Sequence, residues 1–434
     1  AEIMKGFDLK SAAEELKKLI RGDEEQKKQI ILKQEGICSI LIALIHDRSD
    51  DKLRKEIINC GIIDSLLYIF SSRTNESNTI TRPYTQCFCD IIHPSNNENN
   101  QLVYDKKPYH GLIKLLSNTN DEILEDAVRS LNYIICDGIL TKSTSTSSSH
   151  PHYAEIEACQ GSQKLFQLFK LSKNKTIVNN AALCIGNMFK DHEIPNKDSM
   201  RELIIAHLKC LLYNSDQQNR EDARISLLIL IENQSNRSEI LKNQFLKKIA
   251  DELNQEFKGN KQQNEIILQQ QDNDCLFLIS MLDNRKDDIL RKDVINSAGQ
   301  NKTLQSSNNP EYTEFVRCKG IDRLSSLFMK HQSKAIVDHS ALCLAYLYRT
   351  QTVPQKDIGI IKHLKSLVTS PSQSINNAAV NYLNFLAYND DNRAEIMKGF
   401  DLKSAAEELK KLIRGDEEQK KQIILKQEGI CSIL

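Results

Sequence analysis

The 434-residue sequence has no tryptophan, only 8 prolines and no excess of either charge. Its 58 basic and 58 acidic residues cancel, which argues against a nucleic-acid binder that relies on overall positive charge. No apolar run reaches the ~20 residues that a membrane-spanning helix needs. We expect no secretory signal before the first helix. The composition therefore predicts a protein without a membrane span and with few helix breakers.

The sequence also lacks the short motifs that carry common enzyme chemistry. It contains no GxxxxGK[ST] phosphate loop, no GxGxxG after a strand, no HExxH and no GxSxG. Each of these motifs places a nucleophile, a metal or a phosphate on a defined turn or helix face. Their absence predicts a protein that is not an enzyme and that needs no cofactor.

Two groups of residues resemble metal ligands, but neither makes a convincing site. Cys87, Cys89 and His93 lie in "CFCDIIH", where two of them share a helix face, yet a structural zinc ion needs a fourth ligand. His150 and His152 lie in "SHPHY", which we interpret as a polar loop. The 12 cysteines include no CxxC pair, so we predict reduced core residues of an intracellular protein and no metal.

Glycines before apolar helix starts indicate an internal repeat. The period is about 40 residues, typical of a helical solenoid, and Asn/Ser-rich insertions lengthen some units. The spacing is shorter near the beginning of the chain, where HEAT-like repeats stay an alternative. The glycines concerned are Gly6, Gly36, Gly61, Gly111, Gly161, Gly320, Gly359, Gly399 and Gly429.

A long amphipathic helix recurs in each unit, with a small residue near its middle. The sequences are "EILEDAVRSLNYII", "KTIVNNAALCIGNMF", "SKAIVDHSALCLAYLY" and "QSINNAAVNYLNFLA". The small residue allows a neighbouring helix to approach closely, and polar residues before each helix are suited to capping it. No segment shows the alternation of a β-strand.

"AALCIGNMF" at 181–189 and "AAVNYLNFLA" from Ala378 resemble the third helix of armadillo repeats, and the other two helices match it more loosely. The resemblance implies an all-α fold, a right-handed superhelical solenoid of armadillo/HEAT-like repeats over residues 1–434. Two regions depart from the repeat. Residues 137–153 are predicted to be a Ser/Thr-rich loop, whose 143–149 tract is either a linker or a phosphorylation target. Residues 258–310 are predicted to be an irregular repeat with polar insertions around a helix near "DCLFLISML".

The resemblance also implies a function, because armadillo third helices line a concave groove that binds partner segments. The motif asparagine, which contacts the partner's main chain in that family, corresponds to Asn132, Asn187 and Asn384, and Tyr346 replaces it in one repeat. Arg129 and Arg224 could add charged contacts. An asparagine that bonds the neighbouring repeat instead is the alternative interpretation.

The tryptophan that precedes this asparagine in the family's nuclear-import adaptors is replaced. The corresponding positions hold Val128, Leu183 and Val380. We therefore do not expect this chain to recognise import signals in that way.

Residues 394–434 copy residues 1–41 without a mismatch. Diverged repeats do not match over such a length, so the copy is either a tandem duplication or an artificial join. Head-to-tail self-association through the matched ends is a further hypothesis, since solenoid ends without polar caps tend to stack.

Three functions stay open at this point. The first is a non-enzymatic scaffold that binds an extended or helical segment of a protein partner in its groove. The second is a structural subunit of a large cytoskeletal or ciliary assembly. The third is a small-GTPase regulator of armadillo type. All three predict a cytoplasmic protein, and none involves nucleic acid or a membrane.

Overall fold

The computed structural model describes most of the chain. The described residues are 7–46, 48–73, 79–94, 96–141, 149–242, 245–253, 255, 264, 267, 268, 270–272, 274, 275, 277, 278, 315, 317–331, 333–348 and 351–398. These residues form helices and connecting turns, and no strand occurs among them. No helix in these ranges is long and apolar enough to cross a bilayer. The all-α fold class is confirmed.

The chain divides into two compact units, and the first comprises residues 1–240. Its helices follow one another with short connections. They are α1 (Leu9–Leu16), α2 (Glu24–Ile45), α3 (Asp51–Asn59), α4 (Ile62–Ser72), α5 (Arg82–Ile92), α6 (Asn97–Asp105), α7 (Tyr109–Leu115), α8 (Asp121–Thr141), α9 (Tyr153–Ala158), α10 (Gly161–Leu171), α11 (Lys175–Met188), α12 (Met200–Leu211), α13 (Gln217–Leu230) and α14 (Gln234–Leu241), whose last residue crosses the boundary.

The second unit comprises residues 241–434. Among its described residues, the helices are α15 (Phe245–Glu252), α16 (Gly320–Lys330), α17 (Lys334–Leu347), α18 (Gly359–Leu367), α19 (Gln373–Leu386) and α20 (Asp390–Met397). The described residues between 264 and 278 are also helical, as expected for the helix near "DCLFLISML". Residues 258–263 and 279–310 of the predicted irregular repeat lie outside the described residues.

Three-helix repeats build the first unit. In the repeats α3–α5, α6–α8 and α9–α11, a first helix and a second helix precede a third helix that runs beside the third helices of adjacent repeats. The third helices α2, α5, α8, α11 and α13 pack in this order. In the second unit, α17 packs against α19 in the same way. This organisation is the armadillo-like repeat fold that the third-helix sequences predicted.

Polar residues precede the third helices, as the sequence indicated, but Ser333 before α17 and Ser372 before α19 make no capping hydrogen bond through their side chains. The Asp23 carboxylate accepts a hydrogen bond from the Gln26 amide N–H, and the Gln26 side chain accepts one from Asp23, which forms a capping box at α2. Asn174 and Asp216 cap α11 and α13 through their side-chain oxygens. These caps satisfy backbone N–H groups that the first helical turn leaves unpaired.

The glycines at the repeat boundaries do not all have the same role. Gly61 is left-handed, with φ 95°, but at two other boundaries the left-handed residue is Gln160 or Lys319, with φ 59° and 58°. Gly161 follows Gln160 and begins α10, where a Cβ atom would lie 2.4 Å from Ile156 Cγ2. At this boundary glycine is required because a neighbouring side chain lies too close for any Cβ atom.

Gly36 does not mark a repeat boundary, so that prediction is wrong. It lies inside α2, which continues without interruption from Glu24 to Ile45, and no atom lies within 4 Å of a Cβ placed there. One glycine in a long helix with good capping costs too little to end it, about 1 kcal/mol relative to alanine. The short spacings that suggested HEAT-like repeats near the start of the chain disappear with this boundary.

The predicted loop at 137–153 is shorter than expected. Helix α8 continues to Thr141, and α9 begins at Tyr153. The 143–149 tract lies outside the described residues except for Ser149. Of the C-terminal copy, residues 394–398 are described, and α20 runs from Asp390 across the start of the copy to Met397. Residues 399–434 lie outside the described part of the chain. The expectation of one continuous solenoid stays a prediction.

Two glycine substitutions in the first unit should have opposite effects. We expect Gly161→Ala to lower the free energy of unfolding by about 1–3 kcal/mol, because the new methyl group would overlap Ile156. Gly36→Ala should raise it by roughly 0.5–1 kcal/mol, because alanine has the higher helix propensity and meets no neighbour. Urea unfolding followed by circular dichroism measures both. Equal effects of the two substitutions would contradict this account of Gly161.

Candidate functional site

The predicted site residues lie on the third helices. Asn132 is on α8, Asn187 on α11, Tyr346 on α17 and Asn384 on α19. They occupy equivalent positions in the repeat motif. The structure buries the first three and exposes only Asn384.

Asn132 and Asn187 connect three successive repeats of the first unit. The Asn187 side-chain amide nitrogen lies 3.4 Å from the Asn132 side-chain oxygen, and the Ser226 hydroxyl donates a 2.7 Å hydrogen bond to the Asn187 side-chain oxygen. Asn132 is 2% exposed and Asn187 is 1% exposed. In this arrangement the two amides bond neighbouring repeats, which was the alternative interpretation. Contact of either amide with a partner stays a prediction.

Helix α11 is covered because its neighbours approach it closely from both sides. Every residue from Ala181 to Phe189 is buried. A Cβ atom on Gly186 would lie 2.8 Å from the Ser226 Cβ atom on α13. Burial, with a smaller contribution from the charge of Asp222 on α13, raises the pKa of Cys136 on α8 to about 12. Helices α8 and α13 both pack against α11, and together they cover its central residues.

Tyr346 is also buried and does not reach the surface. Its ring packs edge-to-face on Tyr382 of α19, with the ring centroids 5.7 Å apart. The tyrosine that replaces the motif asparagine in this repeat therefore fills the interface between α17 and α19.

The two predicted arginines are only partly accessible. Arg129 forms an ion pair with Glu125 one turn earlier on α8, and Arg224 is half-exposed on α13. An arginine already paired on its own helix gains less from a carboxylate on a partner, because the existing pair must first be broken. Charged recognition by these two residues stays a prediction.

Helix α19 presents a regular exposed polar face in the second unit. Asn377, Asn381, Asn384 and, just after the helix, Tyr388 are exposed at spacings of four, three and four residues, which places them in one line. The opposite side of α19 is buried and includes Ala379, Tyr382, Leu383 and Leu386. We call the exposed line the α19 amide face. Of these residues only Asn384 was predicted from the sequence, although Asn377, Asn381 and Asn384 occur there at helical spacing.

The suspected metal ligands have structural roles. Cys87 and Cys89 are buried, and His93 stacks on Tyr133 with ring centroids 3.8 Å apart. His150 and His152 lie in the connection before α9, as expected, but their side chains are buried and do not face solvent. The His150 Nε2 atom lies 2.9 Å from the Ile135 carbonyl oxygen, and its Nδ1 atom accepts the His152 backbone N–H. Among the described residues, no group of three His, Cys, Asp or Glu could hold a metal ion.

A buried polar network that the sequence did not indicate lies beneath the first repeats. The Gln34 side-chain amide of α2 donates to the Glu15, Leu16 and Lys18 carbonyl oxygens, and its oxygen accepts from Arg73 at 2.9 Å. A glutamine inside a helix usually indicates a solvated face, so the sequence did not indicate that Gln34 is buried. The network ties α1 to α2 and to the residue that ends α4.

A buried carboxyl links α5 to α8. The Thr85 hydroxyl donates a 2.8 Å hydrogen bond to Asp126, and burial raises the pKa of Asp126 to about 6 despite this bond. A buried charge without a cation in direct contact is costly. Asp126 is thus one of the residues that hold the third helices together and also makes that contact sensitive to pH.

Comparisons with known proteins agree with the fold and leave the function open. No protein-family model matches the chain, and no curated protein matches it. An engineered protein solved by the Northeast Structural Genomics Consortium aligns with a TM-score of 0.52 at 16% identity, covering 99% of this chain and 97% of its own. This likeness shows the fold alone.

Two designed proteins are similar over part of the chain. One belongs to computationally designed armadillo repeat proteins for modular peptide recognition, and the other is a designed armadillo repeat protein in complex with the peptide (KR)4. Each aligns with a TM-score of 0.39 at 14% identity, covering 61% of this chain and 99% of its own. The armadillo-like assignment of the present chain rests on its own three-helix repeats and stacked third helices.

Replacement of Asn187 should destabilise the first unit. Asn187→Ala leaves the Ser226 hydroxyl and the Asn132 amide buried with a lost partner, and we expect a loss of about 1–3 kcal/mol in the free energy of unfolding. The exposed Asn97 supplies a control, because Asn97→Ala should change stability by no more than about 0.5 kcal/mol. Chemical denaturation of both variants checks this. A variant Asn187→Ala as stable as the wild type would show that the bridge contributes nothing.

The buried Asp126 should make stability fall as the pH rises. The pKa of Asp126 is about 6 in the folded state, against an ordinary value of 3.8, so the folded state binds the proton more tightly than the unfolded state does. The stability that this proton contributes is present at low pH and is lost as the pH rises from about 4 to 6. Asp126→Asn should therefore raise the free energy of unfolding at pH 7 by roughly 1–3 kcal/mol and flatten the decline. Denaturation at several pH values measures this. The exposed control Asp105→Asn should keep the wild-type profile, and an unchanged profile in Asp126→Asn would refute the assignment.

Proposed function

We propose that this protein is a non-enzymatic interaction module that binds a segment of a protein partner along the α19 amide face of its second unit. The observation that carries the proposal is the exposed line of Asn377, Asn381, Asn384 and Tyr388. It lies on a third helix, which is the element predicted to contact partners.

The chemistry of this face suits a peptide main chain. A side-chain amide donates and accepts hydrogen bonds at once, as a peptide unit does. Asn381 and Asn384 on α19 would offer both kinds of group about 4.5 Å apart along the helix axis, given the rise of 1.5 Å per residue. Tyr388, which is 54% exposed, adds an aromatic surface with a polar end. The face carries no charged side chain, so its recognition should depend little on salt.

The same helix position is unsuited to binding in the other described repeats. Asn132, Asn187 and Tyr346 are already covered by neighbouring helices. A partner would need to separate packed helices before it reached them. The proposal therefore places binding in the second unit and gives the first unit's amides a structural role.

A cytoplasmic location, with cytoskeletal or ciliary attachment as the finer alternative, is part of this proposal. A structural subunit and a small-GTPase regulator stay alternatives, and no contact in the described residues favours the regulator. A protein that fails to bind any segment through α19 but assembles with itself would favour the structural subunit.

A peptide-display selection on the 434-residue protein tests the function. Peptides recovered from a random library should bind the wild type, and the double variant Asn381→Ala and Asn384→Ala should bind them about tenfold or more weakly, because each lost hydrogen bond contributes about 0.5–1.5 kcal/mol. Both positions are exposed, so the variant should keep its fold, which circular dichroism confirms.

The matched control replaces exposed asparagines of the first unit. The double variant Asn97→Ala and Asn196→Ala should bind the same peptides as the wild type does. A library that yields no binder, or peptides that bind both double variants equally, would overturn the proposed site. Titration at low and high salt adds a second test, since strong weakening by salt would indicate charged recognition elsewhere.

A further inference from the structure

The first helices of three repeats share a polar position that ties each helix to the repeat before it. The sequences "NRSEI" at 236–240, "NRAEI" at 392–396 and "HYAEI" at 152–156 align this position on Asn236, Asn392 and His152. All three side chains are buried. The same buried position therefore holds an amide in two repeats and an imidazole in the third.

The two asparagines make equivalent hydrogen bonds. The Asn236 side chain of α14 accepts the Ile194 backbone N–H at 3.1 Å and donates to the His192 carbonyl oxygen at 2.8 Å. Asn392 of α20 makes the same two bonds, both of 2.9 Å, to the connection between α17 and α18. A side-chain amide does not titrate, so these bonds are the same in acid and at neutral pH.

His152 occupies this position where α9 meets the repeat α6–α8. Its ring stacks on Tyr104 of α6 with the ring centroids 3.9 Å apart, and its Nδ1 atom is hydrogen-bonded to the Tyr109 hydroxyl of α7. A Cβ atom on Gly138 of α8 would lie 2.6 Å from the His152 Cε1 atom. The imidazole therefore fills a space that α6, α7 and α8 form together, and glycine at 138 leaves room for it.

His150 fixes the connection that leads into α9. Its Nε2 atom lies 2.9 Å from the Ile135 carbonyl oxygen, to which it must donate, and its Nδ1 atom accepts the His152 backbone N–H at 3.0 Å. One ring nitrogen is thus a donor and the other an acceptor, which is the neutral form of histidine. A proton on Nδ1 would remove the acceptor and break the bond to the His152 backbone.

A carboxyl group in the same cluster does not offset a charge on these rings in acid. Asp137 of α8 lines the same small cavity as His152. Burial raises the pKa of Asp137 to about 6, so this carboxyl is neutral in acid and supplies no counter-charge. The centroids of the His150 and His152 rings are 5.2 Å apart, so a proton on one ring disfavours a proton on the other. Burial penalises the charged form of both rings as well.

The other titratable groups that face the cluster lie on α6, α7, α9 and α11. The Tyr104 hydroxyl donates a 3.2 Å hydrogen bond to Glu155 of α9. Burial raises the pKa of Tyr109 most, followed by the effects of its neighbours Tyr104, Glu155, Cys184 and Asp137. Burial also raises the pKa of Tyr104. The tyrosines therefore stay neutral between pH 5 and pH 7, and Glu155 contributes a hydrogen-bond acceptor.

We propose that His150 and His152 form an acid-sensitive junction, at which protonation of the two rings releases α9 and the connection before it from the repeat α6–α8. At neutral pH the rings hold α9 as the asparagines hold α14 and α20. In acid the bond between His150 and the His152 backbone is lost, and a charged His152 ring has no counter-charge in its buried space. The release is local, because the equivalent junctions carry amides.

Hydrogen exchange of the 434-residue protein at pH 7 and pH 5, read by mass spectrometry and corrected for the intrinsic pH dependence of exchange, tests the proposal. Peptides that cover 149–158 should lose protection by about tenfold or more at pH 5. A released histidine, with an ordinary pKa of about 6.5, binds a proton that the enclosed ring excludes. Peptides that cover 233–241, where Asn236 holds the junction, should change by less than about twofold.

The direction of the change separates the histidines from Asp137. A carboxyl whose pKa is raised to about 6 in the folded state stabilises the junction at low pH, and this effect is lost as the pH rises from about 4 to 6. If Asp137 controlled the junction, the protection of 149–158 would therefore rise in acid. A rise, an unchanged protection, or an equal loss at 233–241 would each overturn the proposal.

Two substitutions supply matched controls, each compared with itself at the two pH values. Asp137→Asn should show the same acid-induced loss as the wild type, because the carboxyl is already neutral at pH 5. His152→Asn introduces the residue that the other two repeats use, and its acid-induced loss should be at least about threefold smaller than in the wild type. Disappearance of the loss in Asp137→Asn, or an undiminished loss in His152→Asn, would contradict the assignment to the histidines. If His152→Asn lacks protection already at pH 7, the wild type and Asp137→Asn decide.

Discussion

The packing of each third helix against the third helices on both sides is the constraint on which the rest of the first unit depends. Helices brought this close exclude water from the groups between them, so each polar group there needs a partner within the protein. Asn187 bonds Ser226 and Asn132, and Thr85 bonds Asp126. The polar residues on these helices thus serve first to fix the register of one repeat on the next.

The fold could be predicted from the sequence because its signal is repeated. Apolar residues at helical spacing, capping residues before each helix and a small residue at its middle occur several times, so that errors at one position do not alter the result. Single features were less informative. Gly36 resembles the boundary glycines in its local sequence, yet it lies within α2, because only tertiary neighbours distinguish a glycine that must avoid a contact from one that has none.

The candidate site was less predictable, for a physical reason. Asn132, Asn187 and Asn384 occupy one position of the motif, but the exposure of that position depends on how closely the flanking repeats approach. This approach is set by residues such as Gly186 and Ser226 on neighbouring helices, not by the motif itself. The burial of His150 and His152 was unpredictable for the same reason. Their polar sequence context suggested solvent-exposed side chains, whereas both rings are buried and the His150 ring contacts the Ile135 carbonyl oxygen.

The buried cysteines recur at equivalent positions, and this has a kinetic consequence. Cys184 and Cys343 each point their thiol at a carbonyl oxygen of the preceding repeat, at Val128 and Cys275, and burial raises the pKa of the Cys184 thiol. A thiol that is neutral and enclosed cannot react until its helix separates from the one before it. The reactivity of each thiol therefore reports how often its helix separates from the preceding one. The rates at which an alkylating reagent modifies Cys184 and Cys343 would give the order in which the repeats separate.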